Sequence, residues 1–573
     1  MFFPARRTRS SSTPSRLGSQ TSRACGLIDP LERRLLLAAA VAPVKSPVST
    51  IDLVQSSYVP ASKYVFKSNG YLTKPAAGDA LDIALSYVRS NAASFGIAAA
   101  DVGNPIVTSR YTDSGSGITH IYLRQQFNGL EVANADININ VMRDGRISSI
   151  GCGFVAGLGS RFGPEPIAPA LTLTTALNNA AQILSLDQVA SPTVLIPSSG
   201  IDQRAVVRAS ALSLDDIPAR LHYVATPTGA ELAWDFIIRT TDNQHWYDTS
   251  ISASSGKMLF TADWTDSFAA PGTIKPAGGA SGSAQLSTGP ETAAYSATYN
   301  VYPYPSTGPD SGGRTMVTDP WDLNSSQYGW HDTNGTSGGD DSTTAGNNVS
   351  AQDDTDANNS GGVRPSGGAF GGGGTGSLTF NYGLLLTDEP AVYLDAATVN
   401  LFYWNNILHD IHYRYGFTEA AGNFQLSNYG LGGLGNDRVQ ADAQDGSGTN
   451  NANFSTPVDG SSGRMQMFRW TSTTPSRDSD LDSGVIIHEY GHGVSNRLTG
   501  GPGNSSALNQ TQSAGMGEGW SDWWALMLLQ TDGSVAAQNS SIGIGTYVIG
   551  QPLSGSGIRR YRYSYDMTIN PET

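Results

Sequence analysis

The residues with the clearest chemistry are His488, Glu489 and His492, in the run Val485-Ile486-Ile487-His488-Glu489-Tyr490-Gly491-His492. On an α-helix, positions i and i+4 share a face. His488 and His492 therefore point the same way and offer two imidazole nitrogens to one ion. Zinc takes such nitrogens at about 2.0–2.1 Å and keeps a position for water in catalytic sites. It lowers the pKa of that water to about 7. Glu489, beside the two ligands, then reads as a general base rather than a ligand. A third ligand follows at Glu518, in Gly515-Met516-Gly517-Glu518-Gly519-Trp520-Ser521-Asp522. It would complete a His-His-Glu set. Asp522 shares the helix face of Glu518. It reads either as the acceptor of the free N–H of a ligand imidazole, His488 by preference, or as a solvated carboxylate or helix cap.

Two helices must position these groups. The apolar run Val485–Ile487 anchors the first in a core, and Asp482 or Ser483 caps its start. In the second, Trp520, Trp523, Trp524, Met527 and Leu528 fall at i, i+3, i+4, i+7 and i+8, the spacing of a buried apolar stripe. A further helix is expected over Ala396–Tyr413. Its His409 and His412 read as packing and hydrogen-bonding residues. Asn450–Phe454, with small side chains, reads as a short exposed strand to which a substrate peptide could add its own backbone.

The 573 residues carry a net charge of −15, with only 14% charged residues. A chain of this length holds several domains, and nothing basic and extended points to nucleic acid. Cys25 and Cys152 are its two cysteines, too few for a disulfide framework. Residues 1–45 read as an export leader: five arginines precede the first acid, then a short apolar run follows. The stretch from Leu31 resembles the LEPR-x-LL tag of many exported bacterial proteins, with Arg33 where the tag has Pro. No other stretch is long and apolar enough to cross a membrane.

Residues 46–160 and 161–268 each read as a helix with hairpin-forming strands. Asn128-Gly129 and Asp144-Gly145 mark turns. Helices are expected over Ala80–Phe95 and Leu173–Leu184. Residues 269–289 read as a linker, and 334–377 as a long mobile loop rich in Gly, Ser and Asp. Calcium is possible but unsupported at Asp340, Asp341, Asp353, Asp354 and Asp356. Their spacing matches no EF-hand loop, and solvated carboxylates are the preferred reading.

In chain order, Tyr328–Thr333, Gly346–Val349, Asn400–Asn406, Tyr413–Phe417, Gln444–Phe454, His488–Gly493 and Gly515–Asp522 resemble fungalysin-family metallopeptidases, relatives of thermolysin. Phe127–Ile137 resembles the family's propeptide signature. The resemblance implies an α+β chain: two hairpin-rich α/β propeptide units over 46–160 and 161–268, then a thermolysin-like catalytic domain over 290–573. It implies one Zn²⁺ per chain on His488, His492 and Glu518, and Glu489 as base and proton shuttle. Asn451 and Ala452 match the edge that holds the substrate backbone. It implies a secreted or cell-surface endopeptidase acting on proteins or peptides. Its own propeptide would be the intramolecular inhibitor, cleaved within 269–289. No nucleic acid and no membrane span are expected.

Family members continue into a helical lobe that brings a further His, and here no His follows His492. The catalytic domain is therefore expected to be C-terminally incomplete. The alternative to an active peptidase is a truncated, catalytically weak or inactive exported zinc-binding or adhesion protein. A third reading gives the N-terminal half an inhibitor or chaperone role.

Overall fold

In the computed structural model the described residues are 63–113, 116–162, 168–187, 191–267, 293–530 and 541–572. The leader expected over 1–45 and the linker expected over 269–289 lie outside them.

The first half runs β1 (Lys63–Phe66), α1 (Ala80–Ser90), α2 (Ala99–Val102), β2 (Ile106–Thr112), β3 (Thr119–Phe127), β4 (Leu130–Val141), β5 (Ile147–Cys152) and α3 (Leu158–Phe162). It continues with α4 (Leu173–Ile183), β6 (Thr193–Ser199), β7 (Arg204–Arg208), β8 (Ile217–Thr226), β9 (Gly229–Arg239), β10 (Trp246–Ser252) and β11 (Met258–Asp263). Asp79 caps α1 by accepting the N–H groups of Leu81 and Asp82, satisfying donors that the first turn leaves open. The helix buries Ala84 and Val88 against Ile121, Leu123, Ile137 and Ile150. Asn128 and Gly129 both take positive φ (47° and 78°), as the tight turn between β3 and β4 requires. A second core forms where Leu177 and Ala180 of α4 meet Leu221, Trp234 and Phe236. The two helix-on-sheet units join where β4 runs parallel to β8 at Val132↔Tyr223 and Ala133↔Val224. Among the described residues this makes one 11-stranded sheet.

The second half begins with β12 (Thr265–Ser267), β13 (Tyr295–Val301), β14 (Thr315–Thr318), β15 (Val349–Asp353) and β16 (Gly376–Phe380). Then come α5 (Leu394–Arg414), β17 (Val439–Ala443), β18 (Ala452–Ser455), β19 (Arg464–Met467), α6 (Ser483–Thr499) and α7 (Thr511–Leu529). Its main sheet has the order β12-β18-β19-β17-β15. α5 is buried along almost its whole length, Ala396 to His412, and packs against β13, β15, β17 and α6.

Two expectations fail here. The stretch 334–377 is not one long mobile loop: Val349–Gln352 are buried in β15, paired in register with Val439–Asp442 of β17. The glycines that hid this strand serve close approach. A Cβ on Gly346 would stand 1.6 Å from the Trp330 carbonyl oxygen, so only glycine lets the chain enter the sheet there. Nor is the strand after Asn450 exposed. β18 is buried throughout, with β19 on one side and β12 on the other: Thr265↔Ser455, Asp266↔Phe454, Ser267↔Asn453. A partner some 190 residues upstream leaves no local trace in the sequence of β18.

Candidate metal centre

Helix α6 carries the first two groups. Asp482 caps it, accepting from the N–H of Gly484 at 3.1 Å. From Ser483 to Arg497 every residue is buried. Its far end is tied down by Arg497, which donates to the carbonyls of Pro457 and Gly422 (2.7 and 2.9 Å) and to Asp437 Oδ2 (3.0 Å). The helix cannot easily shift or rotate, so the i, i+4 geometry becomes a fixed one: the Nε2 atoms of His488 and His492 face each other at 3.0 Å.

Helix α7 brings the third group. Glu518 Oε2 lies 3.5 Å from His488 Nε2, and Oε1 lies 3.4 Å from His492 Nε2. One donor atom from each residue lies within 4.8 Å of the others. The helices come this close because Gly491 backs onto Ser521, where a Cβ would be 3.0 Å from the Ser521 hydroxyl. The face of α7 turned to α6 is therefore the one with Ser521, Asp522 and Ala525, and those three are buried. The apolar stripe expected to be buried is so only in part: Trp524 and Leu528 pack against the core, while Trp520, Trp523 and Met527 are 38, 48 and 49% exposed. Trp524 alone of the three tryptophans turns inward, edge-on to His412. Periodicity identified the helix but set the buried face too far round: the contact with α6 is made by the small and polar Ser521, Asp522 and Ala525, which leaves Trp520, Trp523 and Met527 outside.

Asp522 Oδ1 accepts from His488 Nδ1 at 2.7 Å. Arg559 grips the same carboxylate through Nε and Nη2, both at 2.7 Å, and reaches Glu518 Oε2 at 3.4 Å. Tyr563 adds a hydroxyl to Asp522. Burial works against the Asp522 charge, but His488 and Arg559 outweigh it and hold the carboxyl far below its usual range. A carboxylate so held only accepts, so His488 donates to it from Nδ1 and turns Nε2 inward. Arg559 and Tyr563 were not singled out from the sequence. They sit in a stretch without helical or strand period, and only the tertiary fold brings them to Asp522.

The donors fit a zinc ion. Two imidazole nitrogens and a carboxylate converge. Burial resists ionisation of Glu518, yet the two imidazoles pull its carboxyl far below the ordinary value. Burial also opposes charge on His492, but Asp266, Glu518 and Glu489 raise its imidazole to about 9. Glu489 follows His488 on the same buried helix. Both its oxygens are buried and find no hydrogen-bond partner among the described residues, and burial pushes its carboxyl up to about 8. A buried, unpartnered carboxyl is costly.

Asn451 and Ala452 lie at the start of β18, Asn451 with its side-chain oxygen buried and unpartnered. His409 and His412 of α5 are buried, and neither is among the converging groups. His409 bonds Asp410 at 3.0 Å and His412 stacks on Tyr490. Asp354, expected to be solvated, is instead 2% exposed and lies against Asp442 and Asp445. Burial and those two carboxylates push it up to about 7. Asp442 is paired with Arg464, and Asp445 accepts from Ser447 N (2.7 Å) and Gln466 Nε2 (2.6 Å). Of the other four acids named with it, Asp340 and Asp356 are exposed and Asp341 and Asp353 half-buried.

The sequence profile described as Fungalysin metallopeptidase (M36) matches residues 298–573, and the Fungalysin/Thermolysin Propeptide Motif matches 106–153. An extracellular metalloproteinase of Leptosphaeria maculans is 36% identical over 82% of this chain and 67% of its own length. One of Aspergillus fumigatus is 34% identical over 91% of this chain and 76% of its own. One of Pyricularia oryzae is 34% identical over 95% and 79%.

Proposed function

This chain belongs to the fungalysin metallopeptidase family, M36, and on that premise we propose that His488, His492 and Glu518 hold its zinc and that Glu489 is the catalytic base. The protein is a secreted metalloendopeptidase made as a precursor. Among the described residues no helix is long and apolar enough to cross a membrane. The observation that carries the site assignment is the convergence of the three donor atoms beside an unpartnered Glu489.

Zinc in this site would act as a Lewis acid toward a peptide carbonyl and toward water. Glu489 takes the proton of the attacking water on a carboxylate oxygen and delivers it to the departing amine. Asp522 holds His488 by Nδ1 so that its other nitrogen stays turned inward. Arg559 keeps Asp522 ionised. Asn451 and Ala452, at the start of β18, present backbone to an incoming peptide strand.

The propeptide comprises the units over 46–160 and 161–268, cleavage falls within 269–289, and the catalytic domain occupies 290–573. Latency follows on this reading: β12, the end of the propeptide, pairs with β18 and would occupy the edge a substrate uses. The reading as an inactive exported zinc-binding or adhesion protein is not favoured by kinship with extracellular metalloproteinases.

The test is zinc content together with hydrolysis of an unstructured protein by processed enzyme, compared with Glu489→Gln. The expected result is zinc in both and hydrolysis only in the parent. Zinc without hydrolysis in the parent would overturn the assignment of an active peptidase.

A further inference from the structure

The two histidines are supported unequally. His488 has Asp522 of α7 on its Nδ1 at hydrogen-bond distance. For His492 Nδ1 no side chain stands at hydrogen-bond distance among the described residues. On α7, a Cβ on Gly517 would stop 3.9 Å short of His492 Nδ1. The carboxylate that faces this nitrogen comes from the other half of the chain. Asp266 Oδ2 of β12 lies 3.7 Å from His492 Nδ1. Asp266 is aimed there by two restraints. Its backbone is in register with Phe454 of β18, and Asn496, one turn beyond His492 on α6, donates Nδ2 to the same Oδ2 at 2.6 Å.

A ligand imidazole binds metal through one nitrogen and steadies its ring by donating from the other, and losing that partner costs about 10–100-fold in metal affinity. We propose that Asp266 is a positioning residue for His492, lent by the propeptide to the zinc site, so that the precursor holds its metal more tightly than the enzyme left after the propeptide departs. β12 then does two things at once. Its backbone covers the β18 edge, and its one acidic side chain completes the support of the second histidine while the metal is taken up. When the strand leaves, Asn496 Nδ2 loses its acceptor and His492 Nδ1 loses the carboxylate that faces it at 3.7 Å, and the site loosens as the cleft opens.

This inference rests on the assignment of His488, His492 and Glu518 as the zinc ligands. The test uses the full chain carrying Glu489→Gln, which prevents self-cleavage, and measures zinc affinity by competition with a chelator. Asp266→Ala should weaken zinc by about tenfold or more. Asp266→Asn, which keeps an oxygen for Asn496 but no charge, should fall between Asp266→Ala and the parent. Cobalt replacing zinc reads the geometry directly: its visible absorption band should shift in Asp266→Ala, which a role confined to strand docking would not produce. Zinc affinity within twofold of the parent, with an unshifted cobalt band, would overturn the inference while leaving the ligand assignment intact. A parent that binds no zinc, or a Glu518→Ala variant that binds it as well as the parent, would overturn the ligand assignment and the inference with it.

Discussion

Gly491 and Ser521 touch where α6 crosses α7, close enough that a Cβ on Gly491 would stand 3.0 Å from the Ser521 hydroxyl and 3.1 Å from its Cα. That contact sets the distance from the histidine pair to Glu518, three residues before Ser521. Filling it should push the helices apart. Overpacking of this kind costs about 1–3 kcal/mol. Gly491→Val is therefore expected to weaken zinc by roughly 5- to 100-fold, with Gly491→Ala milder, both measured by chelator competition. Unchanged affinity in Gly491→Val would mean that the helix spacing does not set the site.

Asp522 is the hub behind His488, bonded at once to the imidazole, Arg559 and Tyr563. Asp522→Ala should lower zinc affinity by about 10–100-fold. It also takes from Arg559 the carboxylate it grips through Nε and Nη2, so thermal stability should fall as well. Asp522→Asn keeps the shape and loses the charge, and should show most of the affinity loss with less of the stability loss. Equal zinc binding in all three proteins would remove Asp522 from the account.

The histidine pair makes zinc binding pH-dependent. Without metal, the surrounding carboxylates hold His492 protonated up to about 9, and zinc needs the bare nitrogen. Binding below that pH must expel a proton, so affinity rises as pH rises toward 9 and falls on acidification. The expected slope is about tenfold per pH unit for each proton expelled. Chelator competition at pH 6, 7 and 8 reads it, and a flat profile would contradict the charge assignment.

Asp354 offers a stability test away from the zinc. Its carboxyl is raised from an ordinary 3.8 to about 7 by burial and by Asp442 and Asp445. A raised folded-state value means the neutral form is favoured in the fold. Stability from this group is complete below about pH 4 and is lost as pH rises through 7. Asp354→Asn keeps an oxygen for the N–H groups of Asn358 and Asn359, which both bond Oδ1, and carries no charge at any pH. Its melting temperature should exceed the parent's by about 2 °C or more at pH 8.5 and match it at pH 4.5. Equal destabilisation at both pH values would contradict this.

Much of the site's geometry was legible in the sequence because it depends on local period. The shared face of His488 and His492 follows from i, i+4 spacing, and so does that of Glu518 and Asp522. The Asn128-Gly129 turn and the strands around it follow from residue types that tolerate positive φ and from alternation. What was not legible depends on partners far along the chain. β18 looked exposed because its neighbour β12 is remote in sequence. β15 looked like loop because the glycines around it, Gly346 above all, serve packing rather than freedom. Trp520 and Trp523 of α7 looked buried because apolar period was read as an inward face, while the close Gly491–Ser521 contact turns small, polar residues toward α6. Arg559, Tyr563 and Asp266 had no period to betray them.

The most direct test of the central claim is metal content per chain, measured by elemental analysis on purified precursor and on Glu518→Ala. The account predicts one zinc per chain in the parent and a large loss in Glu518→Ala, since the carboxylate on α7 is the group that closes the ligand set. Metal-free parent protein, or a full complement of zinc in Glu518→Ala, would contradict it.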